Sequence, residues 1–456
     1  MSGVATKTQM STGAEIFSFV TSGSRGWAKY YSDTGPIFLR MGNLDRGTIS
    51  LDLADIQHVC PPEGTEGTRT KVQEGDILIS ITADLGMVGL VPKNLGEAYI
   101  NQHVALARPT ETIEPRYGAW FLASKHAQDQ FEENRRGAVK AGLRLDDIRN
   151  LRVPLPPLPE QRRIVARIEE LFSRLDAGVA ALSHAKAQLQ RYRQSVLAAA
   201  VTGQLTRAWR EQHPDTEPAS VLLERIREQR REQWCGKGKY SDPAEPELEN
   251  VPEIPDPWHW TTAEALSDEN RAITYGVIKL GVDFEGGIQT LRSSDVRPLR
   301  LELDHVKSIN PEIAQNYRRT FLKGGELLVT VRGTLGGICV VPDECAGFNI
   351  SREVALIAPV IREVGPCAAL MIASQPLQRW MLGRTKGITY RGVNIETLKR
   401  LPIPLPPLVE QHQIVAEVEA RTTAIDRLEV ELNRQIARSN RLRQSTLRAA
   451  FEGKTI

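Results

Sequence analysis

Residues 155–170 read LPPLPEQRRIVARIEE, and residues 405–420 read LPPLVEQHQIVAEVEA. From Leu151 to Glu169, 12 of 19 positions are identical to the residue 250 further on. The register holds downstream, where RYRQSVLAAAVTG (191–203) faces RLRQSTLRAAFEG (441–453). It also holds upstream, where GDILIS (75–80) faces GELLVT (325–330) and VAL at 104–106 faces VAL at 354–356. A slip of two residues carries the match to LR at 39–40 and 291–292. A chain written twice at this period is no solenoid, whose repeats run to about 20–50 residues. Each copy must be a domain followed by a connector, which suits a chain too long for one ordinary core.

Within a copy the order is the same. Short apolar runs such as PIFLRM, DILISIT, MVGLVP and INQHVALA, bounded by Gly, Pro, Asp and Asn, predict strands. A helical stretch follows over 115–134, matched by 365–383, then a loop with Gly and basic residues, then a short return. Each copy therefore opens with an α+β globule. Pro154, Pro156, Pro157 and Pro159 next enforce an extended approach, and Pro159 and Glu160 suit a first helical turn.

From there Ile164, Ile168, Leu171, Leu175, Leu182, Leu189, Tyr192, Val196 and Ala199 carry the three-four spacing of a helix–helix seam. The second copy repeats it at Ile414, Val418, Ile425, Leu428, Leu432, Ile436, Leu442 and Leu447. Roughly 40 residues without a breaker predict a helix about 60 Å long. Such helices need a packing partner, and two in one chain pack most simply on each other, antiparallel because a globule intervenes. Val165, Phe172, Val179 and Leu197 fall off the seam, where exposure would suit a partner protein. Between the copies, residues 206–234 predict a charged helix and 236–258 an extended linker. The expected divisions are 1–153, a helix over 154–203, a charged helix and linker over 204–254, a second globule over 255–403, and a helix over 404–456.

Several functions are disfavoured. No run approaches the ~18 apolar residues of a membrane span, and the opening MSGVATKTQM has no apolar core of a secretory signal. Five cysteines without a CxxC argue for a reducing cytoplasm and against a zinc site. No phosphate-binding Gly-x4-Gly-Lys-Ser/Thr, dinucleotide fingerprint or HExxH is present, nor the Asn/Asp-Pro-Pro-Tyr/Phe of adenine methyltransferases. Asp76 and its match Glu326 could be nuclease carboxylates, but each follows Gly at a strand start, where an acid capping the turn is the usual reason. The chain is expected to be non-catalytic and to bind no metal or cofactor.

Two related globules on an antiparallel rod suit a two-part target, such as DNA half-sites spaced by about one helical turn, ~34 Å. The doubled LPPLxEQ, the helices ending in RQSxLxAAxxG, and the GDILIS and GELLVT strands resemble the specificity subunit of type I restriction–modification systems. That resemblance spans nearly the whole chain. It implies two target-recognition domains of α/β type, with approximate two-fold symmetry, held apart on two antiparallel helices. It further implies that each domain reads one half of an asymmetric bipartite duplex sequence. Two modification subunits, which bind S-adenosylmethionine and methylate adenine, would dock on the helices. Two restriction subunits using ATP and Mg, where present, would complete the complex. The alternative is a scaffold or DNA-binding coiled-coil protein with no such role.

Reading a base edge needs Arg, Lys, Asn or Gln, and net charge of +2 confines any DNA surface to local patches. In the first globule the candidates are Arg25, Lys29 and Tyr30; Asn101 and Gln102; and Arg136, Lys140 and Arg144. The matched loops of the second offer Tyr275 and Lys279; Asn349 and Arg352; and Lys386, Tyr390, Arg391 and Asn394. Arg332 follows the LLVTV strand where the first copy has Thr82.

Overall fold

A computed structural model describes residues 9–23, 25–61, 64–136, 142–236, 239–384 and 392–452. The chain forms two compact units, Met1–His184 with Glu431–Ile456, and Ala185–Val430. Their edges fall inside the long helices rather than between the copies.

In the first unit, Met10–Thr12 pairs antiparallel with Arg152–Pro154, so the globule is closed by its own ends. A four-stranded antiparallel sheet runs in the order Phe17–Ser22, Val104–Pro109, Ile77–Ser80, Val88–Leu90. The central strand Ile77–Ser80 is buried at every position, because both faces of the sheet are covered. A second sheet sets Tyr31–Leu39 between Gln57–Val59 and a parallel Ala98–Ile100. The acid at the strand start has the structural role. Asp76 is buried, accepts the Gln73 N–H at 2.7 Å, and receives both Nε and Nη2 of Arg108 at 2.8 Å.

The second unit repeats this plan. His259–Thr262 pairs with Pro402–Leu405, and the four-stranded order is Thr274–Tyr275, Val354–Ile357, Leu327–Thr330, Ile338–Val340. Ile288–Leu291 lies between Lys307–Ile309 and a parallel Asn349–Ile350. Glu326 again caps its turn, from the Lys323 N–H at 2.7 Å, but its arginine is Arg271, at 2.6 Å, from a different segment. The stretch expected as one helix over 115–134 is two, Pro115–Ala123 and Lys125–Glu133. Ser124 breaks it in extended conformation, its hydroxyl donating to the Phe121 carbonyl at 2.6 Å, and Ser374 does the same with Met371.

The long helices are Leu158–Val201 and Leu408–Phe451, each of 44 residues and in register at an offset of 250. In the first unit the opening half of the first helix meets the closing half of the second. Ile168 and Phe172 share a core with Leu447, Ala450 and Phe451, and Phe451 sets its ring edge-on to Tyr117 and Phe121 at 5.2 and 5.4 Å. In the second unit the closing half of the first helix, with Val196 and Ala200, shares a core with Ile414 and Val418 from the opening of the second. The helices therefore run antiparallel, and each globule's core is completed by the helix of the other copy.

Three residues expected on an exposed face are corrected by this packing. Val165, Phe172 and Leu197 are at most 4% exposed, because the helix turns them onto the globule; Val179 is half-buried. The expected seam residues Tyr192, Leu428 and Leu442 are exposed instead.

The glutamine of LPPLxEQ has a clear purpose. Gln161 accepts the Glu114 N–H at 2.8 Å and donates to the carbonyls of Thr112 and Pro156, at 3.0 and 2.8 Å, tying the helix start to the globule. The neighbouring glutamate differs between copies. Glu160 pairs with Arg163 at the surface. Glu410 is fully buried, accepting from Thr206 Oγ1 at 2.6 Å, Arg210 Nη2 at 2.8 Å and Trp258 Nε1 at 2.8 Å. The charged helix between the copies, Ala219–Gln233, is not free: Leu222, Leu223 and Ile226 enter the second unit's core.

Candidate nucleic-acid interface

A cleft of about 800 Å³ opens on the second unit between the edge strand Thr274–Tyr275, the helix Pro311–Gln315 with the turn Arg318–Thr320, and the residues Arg332 and Arg352. Among the described residues, four arginines line it and no carboxylate does. Local chemistry places each of them. Asn310 caps the helix by accepting the Glu312 N–H at 2.8 Å, with Pro311 in the first turn. Thr320, at the end of the following turn, donates to Asn349 Oδ1 at 2.6 Å, and Asn349 Nδ2 reaches the Tyr317 carbonyl at 3.4 Å. That clamp presents Arg318 and Arg319 outward. Arg352 follows strand Asn349–Ile350, where its N–H donates to the Val277 carbonyl at 2.8 Å. Gly276 permits this approach, since a Cβ there would collide with the Ile350 carbonyl oxygen.

Arg332 lies over the ring of Tyr275, 5.4 Å from its centroid, and the Tyr275 hydroxyl donates to the Val393 carbonyl at 3.4 Å. Glu353, the nearest acid in sequence to Arg352, is engaged by Ser293, whose hydroxyl donates to it at 2.7 Å. Arg319, Arg332 and Arg352 are exposed and form no ion pair among the described residues, so their guanidiniums face solvent.

Of the second-globule candidates, Tyr275, Arg332 and Arg352 thus meet in one cleft, and Lys279 is exposed just beyond its edge. Asn349 is corrected: it is fully buried and spends its amide inside the protein, so it positions the arginine turn rather than facing solvent. Asn394 caps helix Ile395–Lys399 by accepting the Thr397 N–H at 2.7 Å, which occupies its side-chain oxygen. Lys386, Tyr390 and Arg391 lie outside the described residues, as does Lys140 in the first globule. Sequence reasoning missed Arg318 and Arg319. Their signal was present, since YRRT at 317–320 faces GTRT at 67–70 in the common register.

The first unit presents different chemistry on the same framework. At the position of Arg332 it has Thr82, and at that of Arg352 it has Gln102. Both join His103: Thr82 Oγ1 lies 2.6 Å from its Nδ1 and Gln102 Nε2 lies 3.0 Å from its Nε2. Asn101 accepts the His103 N–H at 3.0 Å, which holds the loop. Arg25 and Lys29 are exposed, with the Lys29 ammonium 4.8 Å above the Tyr30 ring. Tyr30 packs edge-on to Trp27, which is core. Arg136 sits 3.7 Å from the Asp147 carboxylate, and Arg144 is exposed at the start of helix Leu145–Arg149.

The two units share one fold and carry different polar side chains at matched positions, the arrangement of a tandem two-domain protein. The comparisons with known proteins agree. A profile for the type I restriction modification DNA specificity domain matches residues 65–181 and 269–438. The chain belongs to that family, the one its doubled motif resembles. It is 32% identical to the EcoBI specificity subunit of Escherichia coli over 304 residues, covering 66% of this chain and 58% of that one. It is 24% identical to the EcoKI specificity subunit of Escherichia coli strain K12, over 93% of this chain and 83% of that one. Among solved structures, the HsdS subunit of Thermoanaerobacter tengcongensis matches with a TM-score of 0.51 at 19% identity, over 98% and 97% of the two chains. A chain from a structure describing complex assembly of a type I R-M system matches at 0.65, also at 19% identity and over 97% of each chain. Those two likenesses establish the shared fold. No described helix is long and apolar enough to cross a membrane.

Proposed function

We propose that this chain is the DNA-reading subunit of a type I restriction–modification complex, selecting an asymmetric bipartite duplex site with one half-site per unit. The observation that carries the reading is the exchange of Thr82 and Gln102 for Arg332 and Arg352 on otherwise matched strands and turns. A common scaffold with different hydrogen-bonding groups at its rim is what two unlike half-sites require.

In this reading the chain itself makes and breaks no bond. Two modification subunits bring S-adenosylmethionine and methylate adenine in the cytoplasm; restriction subunits, where present, bring ATP and Mg. The modification subunits dock on the long helices, where Tyr192 and its match Leu442 are exposed apolar positions.

The test exchanges residues 10–153 for the corresponding globule of a related subunit, leaving both long helices in place, and sequences the methylated motif in a host carrying the complex. One half of the motif should change and the other should persist. If both halves change together, the units are not independent readers.

A further inference from the structure

We infer that the cleft of the second unit reads guanine, so that the half-site it selects contains G·C pairs read by these arginines. This rests on the base-reading role proposed above and adds the identity of the base.

Guanine shows two acceptors in the major groove, O6 and N7, and the guanidinium fork donates two parallel hydrogen bonds to them. Adenine shows an acceptor at N7 but a donor at N6, so the same fork finds one partner and one repulsion. Among the described residues, the cleft holds four guanidiniums and no carboxylate. The two amides that line it, Gln315 and Asn316, are engaged within the protein: Gln315 Oε1 accepts from Arg318 Nε at 3.0 Å and Asn316 Nδ2 donates to the Glu312 carbonyl at 3.2 Å, so neither is free for the paired contact that reads adenine. Arg332 is further oriented by the ring of Tyr275 beneath it, which limits its sway before contact.

The first unit sharpens the point. In the common register, Arg318, Arg319, Arg332 and Arg352 face Thr68, Arg69, Thr82 and Gln102. The one arginine there, Arg69, donates to Thr21 Oγ1 at 2.9 Å within its own globule. The arginine excess therefore belongs to the second unit's reading surface and not to the shared scaffold.

The test uses the full chain assembled with the host's modification subunits, and a duplex pool with two randomised segments separated by spacers of several lengths. Wild type is compared with Arg332→Gln and Arg352→Gln. Wild type should enrich two half-sites. Each variant should lose ~5- to 150-fold in affinity for the enriched site and relax selection at G·C pairs in one half only. The inference is overturned if the relaxed positions are A·T pairs, if the variants bind as wild type does, or if they weaken unrelated duplexes equally, as phosphate contacts would. A wild-type complex that enriches no sequence defeats the base-reading function itself, a result distinct from all of these.

Discussion

The carboxylate of Asp176 accepts two hydrogen bonds from the guanidinium of Arg443, at 2.6 and 3.2 Å. Asp176 belongs to the first copy and Arg443 to the second. Their counterparts 250 residues away, Asp426 and Arg193, form the same pair with the roles of the copies reversed. One Asp and one Arg per copy thus fix the helix register twice. Arg443 also covers the Phe172 ring, 4.3 Å from its centroid.

A double-mutant cycle on Asp176→Ala and Arg443→Ala should return a coupling of about 0.5–1 kcal/mol, because Asp176 is more than half exposed. Arg443→Ala alone should cost more than Asp176→Ala, since it also uncovers Phe172. Urea titration measures both; equal single costs would show that the ring contact contributes nothing.

The buried glutamate separates the copies energetically. Removing Glu410 leaves Arg210, Thr206 and Trp258 Nε1 without their shared acceptor in the interior. Glu410→Ala should destabilise the second unit by ~3–5 kcal/mol. Glu160→Ala, at the matched but only half-buried position, should have a far smaller effect on the denaturation midpoint. Similar losses at both sites would contradict the burial difference.

Asn349 tests positioning without touching the cleft's rim. Asn349→Ala removes the buried acceptor shared by the Thr320 hydroxyl and the Ile350 N–H, leaving the hydroxyl only the Tyr317 carbonyl, and should cost about 1–3 kcal/mol. Because the arginine turn then loosens, specific DNA affinity should fall more than non-specific affinity. Unchanged selectivity in a folded variant would mean that the turn is not read out.

Alkaline pH should weaken the first unit through Tyr99. Burial, and then the hydrogen bond from its hydroxyl to Glu97 at 2.6 Å, push the phenol up to about 12 from an ordinary 10. A raised phenol favours the neutral, folded form. Its contribution is complete below pH 10 and disappears as pH climbs from 10 to about 12. Tyr99→Phe should flatten the fall in melting temperature across that window, though not abolish it, because burial also raises Tyr117. An identical pH slope in the variant would exclude Tyr99 as a source.

Gly276→Ala should destabilise the second unit by about 1–3 kcal/mol or more, since the added methyl meets the Ile350 carbonyl oxygen between paired segments. A variant as stable as wild type in a thermal melt would mean that the strand can shift to admit it.

Much of this protein is written in its primary structure. The 250-residue register, together with apolar spacing and proline stops, located both 44-residue helices, the matched strands Ile77–Ser80 and Leu327–Thr330, and the matched loops that carry Arg332 and Arg352. Local patterns suffice for these because periodicity, proline stops and strand-start acids act over a few residues. Tertiary structure decided what such patterns leave open. Val165 and Phe172 look like an outer face of a lone helix, yet they are buried because the globule beside them needs a floor. Asn349 and Arg352 are three residues apart and both hydrogen-bonding, but one is clamped inside by Thr320 while the other reaches the cleft. Arg318 and Arg319 joined that cleft only when residues some 40 positions apart in the chain were folded together. Burial and convergence are sums over distant neighbours, which no short window of sequence contains.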